Sequence, residues 1–213
     1  MAKRYWLFKS EPEVFSFLDL ERAKDQTTSW EGVRNYQARN MLRDDVQAGD
    51  EIFFYHSRTE PMHVAGIARV VRAAYPDPFQ FDPSSRYHDP DSTREEPRWY
   101  TVDIRYERPL ARPVTLEEMR EEPKLSDMVL LRKGSRLSIQ PVTPDEWKAV
   151  IELSKRPAEP PAAKSSKRPA TKTAQVGANL RKQAAAKAAQ RSPDKKGAAK
   201  SSMTRSAGAR KSK

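Results

Sequence analysis

The sequence predicts a mixed α/β domain, a small barrel of about six short strands flanked by short helices, followed by a tail with no core of its own. Three observations carry this. Strand-like and helix-like stretches are interleaved over residues 1–154 without the regular spacing of βαβ units. The long apolar run from His63 to Ala74 sets Val64, Ile67, Val70 and Val71 too closely for clean alternation, which implies a bulge near Gly66 of the kind that bends barrel strands. All 18 Phe, Trp and Tyr lie before residue 155.

The elements follow in order. Arg4 to Lys9 reads as a first strand, ended by Ser10-Glu11-Pro12, and Val14 to Lys24 as a helix covering the sheet with Val14, Phe17, Leu18 and Leu20. A short β segment, Thr27 to Trp30, precedes a helix from Asn35 to Leu42, and the turn Gly49-Asp50 leads into the strand Glu51 to His56. After His63 to Ala74, five prolines between Tyr75 and Pro97 exclude helix interior and central strand. That segment reads as a long ordered loop, carrying Tyr75, Phe79, Phe81 and Tyr87, and serves as a pocket wall or a structural lid. Trp99 to Tyr106 is a strand with Tyr100, Val102 and Ile104 on one face. Thr115-Leu116-Glu117-Glu118 and Thr143-Pro144-Asp145-Glu146 are capping boxes that start two helices, the second with proline at its first position. Met128 to Leu131 and Leu137 to Val142 read as strands around a Lys133-Gly134-Ser135 turn.

Charge divides the chain near Ser154. Residues 1–154 hold 23 Lys and Arg against 27 Asp and Glu, a net of −4, whereas residues 155–213 hold 17 against 2, a net of +15. The tail's only sizeable apolar side chains are Val176, Leu180 and Met203, too few to offset ~1–2 kcal/mol of backbone entropy per residue, so it is expected to be disordered when free. The domain boundaries expected are therefore 1–154 and 155–213. The absence of cysteine excludes disulfides, thiolate catalysis and Cys-ligated zinc. No apolar run approaches the ~20 residues of a membrane span, and the N-terminus enters Tyr5-Trp6-Leu7-Phe8 without a signal-peptide pattern; a soluble protein with no membrane partner is expected.

The segment Thr27 to Asn40, TTSWEGVRNYQARN, concentrates recognition chemistry. It sets the flat indole of Trp30 at a strand end beside the donors Arg34, Asn35 and Gln37, and a planar, polar-edged ligand such as a nucleobase needs such a stacking face with hydrogen bonds to its edge. The alternative is a core tryptophan at a strand–helix junction, with Asn35 capping the helix. Arg39, Asn40 and Gln37, at helical spacing beyond Asn35, read as surface and packing positions.

Several separated stretches resemble an EVE domain: WLFKSEP from Trp6, TTSWEGVRNYQARN, Phe53-Phe54-Tyr55-His56-Ser57, Ala74-Tyr75-Pro76-Asp77, PRWYTVD from Pro97 and RLSIQPVT from Arg136. The resemblance runs in order from about Tyr5 to Leu153. It implies a PUA-like barrel related to the YTH domains, which hold a modified adenine of RNA in an aromatic cage, and a domain that binds modified bases, cytosine derivatives among them, in DNA or RNA. By position it implies Lys9 and Ser10 at the pocket mouth, Trp30 as a cage wall, Arg34 and Asn35 as edge or phosphate contacts, and Tyr55, His56 and Ser57 on the same rim, with Tyr87 or Trp99 as second wall. The tail resembles those of histone H1-like proteins, with AAKSS at Ala162 recurring at Ala198, and a flexible polycation neutralises phosphates without reading sequence.

Catalysis finds little support. His56, His63 and His88 share no metal-ligand spacing, so no metal and no catalytic residues are expected, and with seven glycines and no phosphate loop no cofactor is expected. Glu95-Glu96, Glu117-Glu118 and Glu121-Glu122 read as solvated pairs. The expected function is a non-catalytic reader of a modified nucleobase tethered by a basic tail. Its rival is a nucleoid-associated or interaction protein whose tail alone binds DNA while the head binds a protein or small metabolite. The sequence leaves the oligomeric state open. The tail suits a bacterial cytoplasm near the nucleoid, or a nucleus in a eukaryote.

Overall fold

In the computed structural model, which describes residues 3–157, the interleaved signals resolve into one mixed sheet. The strands are β1 (Tyr5–Ser10), β2 (Thr27–Ser29), β3 (Glu51–His56), β4 (His63–Pro76), β5 (Tyr100–Thr115) and β6 (Ile139–Val142). The helices are α1 (Phe17–Arg22), α2 (Tyr36–Asn40), α3 (Leu116–Glu121) and α4 (Pro144–Lys155). Of the basic tail expected from residue 155, Lys155 still belongs to α4, and residues 158–213, with their expected disorder, lie outside the described residues. Sheet order is β2-β5-β4-β3-β1-β6, with β1 parallel to β3 and antiparallel to β6.

Both faces of the sheet are buried, which is why β1 and β3 read as continuous apolar runs. Trp6, Phe8, Ile52 and Phe54 face one core with Trp30, Val102 and Ile104. Leu7, Phe53 and Tyr55 face the other, closed by Trp147 and Val150 of α4. The bulge expected at Gly66 is present, since register shifts between Val64 and Gly66 and again along β4 and β5. A Cβ at Gly66 would stand 2.1 Å from the Phe17 ring, so only glycine lets α1 seat against the bend. The curl brings the ends of the sheet order together: Trp30, just beyond β2, packs 5.3 Å from Phe8 of β1 and edge-on 5.5 Å from Phe54 of β3.

Several expectations change. The helix expected from Val14 begins only at Phe17, because Ser16 and Asp19 form a capping box there; Phe17 and Leu20 are buried, while Val14 and Leu18 are exposed. Asn35 caps α2 through its Oδ1 and the Ala38 N–H, and a π-turn, Met41–Asp45, continues the helix beyond Leu42. β4 runs on through Pro76, paired with Tyr100, and β5 extends to Thr115. The expected strand at Met128–Leu131 is a 3-10 turn at Val129–Leu131, in which the Leu131 and Arg132 N–H groups bond back to Met128 O and Val129 O while Leu130 is buried. Both threonine capping boxes form as expected. Glu118 is thereby a cap rather than a solvated charge, and Glu122 is buried and paired with Arg156.

The proline-rich loop is ordered by two buried polar side chains. Gln80 donates to the carbonyls of Asp77 and Trp99, and its Oε1 accepts from Trp99 N, Arg98 N and Ser92 Oγ. These bonds stand in for a strand partner where proline cannot donate. Asp77, with no exposed surface, accepts from Phe79 N through Oδ1 and from Gly32 N through Oδ2, tying the loop to the segment after Trp30.

Candidate functional site

The seam where the two ends of the sheet meet holds a cleft of about 570 Å³. One wall comes from the end of β1 and the approach to β6, with Lys9, Ser10 and Ser138; the other comes from β2 and its continuation, with Ser29, Trp30 and Glu31. Tyr87 and Arg86 of the proline-rich loop close a third side. Trp30 shows only 9% of its surface, most of the indole being spent on Phe8 and Phe54, and what remains faces this cleft. It is thus both a core residue and a cleft wall. A smaller hollow of about 430 Å³ between Arg4, Trp6, Met41 and Pro144 contains none of the residues named for base binding.

Arg34 holds the third side in place. Its Nη1 donates to Asp77 Oδ2 at 2.8 Å, its Nε and Nη2 donate to the Tyr87 carbonyl, and its guanidinium lies 5.3 Å from the centroids of both Tyr87 and Trp99. With most of its donors committed, Arg34 positions Tyr87. The Tyr87 ring lies directly on Gly32, where φ is +77° and a Cβ would stand 2.4 Å from the ring, so glycine is required on both counts. Arg86 donates to the Tyr87 hydroxyl and packs 4.6 Å from its ring.

Lys9 is half-buried, has no carboxylate partner among the described residues, and burial lowers its pKa from the ordinary lysine value. Burial raises Glu31 above the usual glutamate value; its Oε2 accepts from Ser29 Oγ at 3.2 Å. Ser10 is already engaged, its hydroxyl donating to Phe15 O at 2.6 Å.

Of the ten residues named from sequence, the structure gathers Lys9, Ser10, Trp30, Arg34 and Tyr87 in the cleft. The other five lie elsewhere, for identifiable reasons. Asn35 is the α2 cap. Tyr55 points to the opposite core, where burial pushes its hydroxyl up to about 12. His56 lies beneath α1, accepting from the Phe17 N–H at 3.0 Å, and burial, with His63 nearby, lowers it to about 4. Ser57 donates to Ser10 O. Trp99 is buried, its indole N–H donating to Asp89 at 2.6 Å, whereas the Trp30 indole N–H has no partner among the described residues, its backbone N–H going to Val102 O. Tyr87, not Trp99, is therefore the aromatic that reaches the cleft. Missed from sequence were Val14, Phe15 and Glu31 on the rim. The signal was available: the capping box at Ser16 expels Val14 and Phe15 from the helix into the turn before it.

The EVE domain family model matches residues 4–153. The chain is 40% identical to human thymocyte nuclear protein 1 over 169 residues, 71% of this chain and 74% of that one. An uncharacterised protein of Schizosaccharomyces pombe is 44% identical over 168 residues, 73% of this chain and 70% of that one. The crystal structure of human THYN1 in complex with 5-methylcytosine containing DNA matches with TM-score 0.70 at 39% identity, over 73% of this chain and 100% of that chain. A Pseudomonas putida protein matches with TM-score 0.67 at 45% identity, over 70% of this chain and 99% of that chain.

Proposed function

The chain belongs to the EVE domain family, and from that premise we propose that it binds a modified base of the 5-methylcytosine class in DNA, received in the seam cleft. The observation that carries the reading is the pairing of Trp30 and Tyr87 on two walls of one cleft, in a domain similar to a human protein crystallised with 5-methylcytosine DNA. A base can enter only by leaving its stack, at a cost of a few kcal/mol. Stacking on aromatic side chains returns ~1–3 kcal/mol per base. The edge contacts follow from the donors and acceptors at hand. The Glu31 carboxylate suits the exocyclic amine of a cytosine, Lys9 offers an ammonium to a carbonyl or phosphate oxygen, and Val14 and Phe15 offer apolar surface to a methyl group. The domain itself is not catalytic in this reading, and the tail adds salt-sensitive, sequence-blind affinity.

The test is binding of the full chain to matched oligonucleotides with cytosine or 5-methylcytosine. Tyr87→Ala removes one wall and leaves the Trp30 core intact; it should weaken binding of the methylated oligonucleotide by ~5–100-fold and reduce the preference. A variant that folds and keeps the full preference defeats the reading. The net −4 of residues 1–154 favours one rival, in which the tail alone contacts DNA; wild-type protein that binds both oligonucleotides equally would support it.

A further inference from the structure

A base drawn into the seam leaves its sugar and phosphates at the mouth, and a domain of net negative charge must meet them with cations that are not already neutralised. Of the two arginines that line the cleft, Arg34 is paired with Asp77, and Arg86 is turned onto the Tyr87 hydroxyl and ring. Outside the lining, Arg58 is paired with Glu11 at 3.2 Å and Arg98 with Asp89 and Asp91. The turn leading into β6 differs. Arg132, Lys133 and Arg136 fall within five residues, all exposed, and none has a carboxylate partner among the described residues. Arg132 is folded back onto the Asp127 carbonyl, which leaves Lys133 and Arg136 as the two uncommitted cations.

The turn is joined rigidly to the cleft. Ser138 lines the cleft, and its carbonyl accepts from Lys9 N at 2.8 Å. Gln140, 1% exposed, lies opposite Leu7 in the β1–β6 register and donates from Nε2 to Ser135 Oγ and to Leu137 O, both at 3.0 Å. Its Oε1 finds no partner among the described residues. A buried, half-satisfied amide is costly in an apolar core, and what it secures here is the conformation of residues 135–137. Gly134, at φ +80°, and the Ser135 N–H to Arg132 O bond complete the bend.

We propose that the Arg132–Ser138 turn is a phosphate-binding arm of the cleft, with Lys133 and Arg136 contacting the sugar–phosphate backbone beside the inserted base and Gln140 holding the turn in position. The inference rests on the seam cleft as the base site. It assigns the turn affinity and register but no part in telling one base from another, because phosphates carry no sequence information.

The experiment compares the full-length chain with Lys133→Gln/Arg136→Gln on methylated and unmethylated duplexes across a salt series. A control, Arg108→Gln/Lys155→Gln, removes two equally unpaired cations outside the cleft lining and so corrects for bulk charge. The turn variant should bind both duplexes ~10-fold more weakly, with an unchanged preference ratio and a log–log salt slope smaller by about 1–2, while the control stays near wild type. Identical behaviour of the two double variants overturns the arm. A preference ratio that collapses in the turn variant also overturns it, because the turn would then be reading the base. A wild-type protein without any preference refutes the base reading instead, and the slope difference between the two variants still decides whether the turn meets phosphate.

Discussion

Trp147 and Trp30 occupy equivalent places on opposite faces of one sheet, and they have different fates. Phe53 and Phe54 are neighbours on β3 and so point to opposite sides; Trp147 stacks on Phe53 at 3.8 Å and on Tyr5 at 4.5 Å, while Trp30 packs against Phe54 and Phe8. Both are nearly buried, at 7% and 9% exposure, so burial does not separate them. What separates them is the cover. Trp147 arrives on a twelve-residue helix with a capping box and an N-terminal proline, which spreads Val150 and Leu153 over the same core. Trp30 arrives at the end of a three-residue strand, and the chain after it is held away by Gly32, Arg34 and Asp77 instead of closing over the indole. A binding aromatic is thus recognised by where its covering layer stops.

Truncating each indole separates the two faces most decisively. Trp147→Ala should cost ~3–5 kcal/mol of stability by thermal or denaturant unfolding, with the base preference of the folded fraction unchanged. Trp30→Ala should cost a similar amount and lose the preference as well; Trp30→Phe, which keeps most of the core contact, should lose preference with a smaller stability loss. Equal effects of Trp147→Ala and Trp30→Phe on base discrimination would erase the distinction between the two faces.

A smaller effect sharpens the role of the cover. Gly32→Ala places a β-carbon into the Tyr87 ring at a left-handed backbone position and should cost ~1–3 kcal/mol while weakening the preference, because Tyr87 must move. An unfolding midpoint and a preference both at wild-type values would mean that Tyr87 does not need its seat on Gly32.

The smallest effect is an acid sensitivity confined to the Trp30 face. His56 titrates at about 4 in the folded protein against an ordinary value of 6.5, so the unfolded chain takes up the proton first. Stability contributed by neutral His56 is present above about pH 6.5 and is lost as pH falls toward 4, by ~1 kcal/mol after allowance for partial solvent access. His63 at 5.0 Å opposes the charged form and Asp19 favours it weakly. Hydrogen exchange at pH 5 should show α1 and the turn before it opening ahead of α4, and His56→Gln should remove most of the difference. Uniform opening of both faces would locate the acid-sensitive group elsewhere.

Local chemistry was legible in the chain to the degree that it is settled within a few residues. The capping boxes at Thr115 and Thr143, the bulge at Gly66 and the strand Glu51–His56 all follow from neighbours in sequence, and each forms as read. Met128–Leu131 failed because an apolar run of that length suits a strand or a buried turn equally well, and the deciding fact is whether a partner strand lies beside it. Within the cleft, Trp30 was readable from its neighbours as a residue type suited to a base, whereas Lys9 and Tyr87 entered as base contacts only with the family resemblance, Tyr87 as an alternative to Trp99. Val14 and Phe15 were masked by an apolar pattern that started the helix three residues, less than one turn, too early, although the Ser16 cap marked the true start.

The residues alone name the parts: a head with all the aromatics, a tail with the net positive charge, most of the strands and the two threonine caps, and a short list of side chains able to hold a planar ligand. Only the tertiary structure decided how that list divides. Arg34, Asn35, His56 and Trp99 carry the right chemistry for recognition, but each is consumed by a buried donor or acceptor brought to it from elsewhere in the fold or by its own helix end. Hydrogen-bonding capacity is a property of the residue; whether any of it is left for a ligand depends on which groups, distant in sequence, the fold has already placed against it.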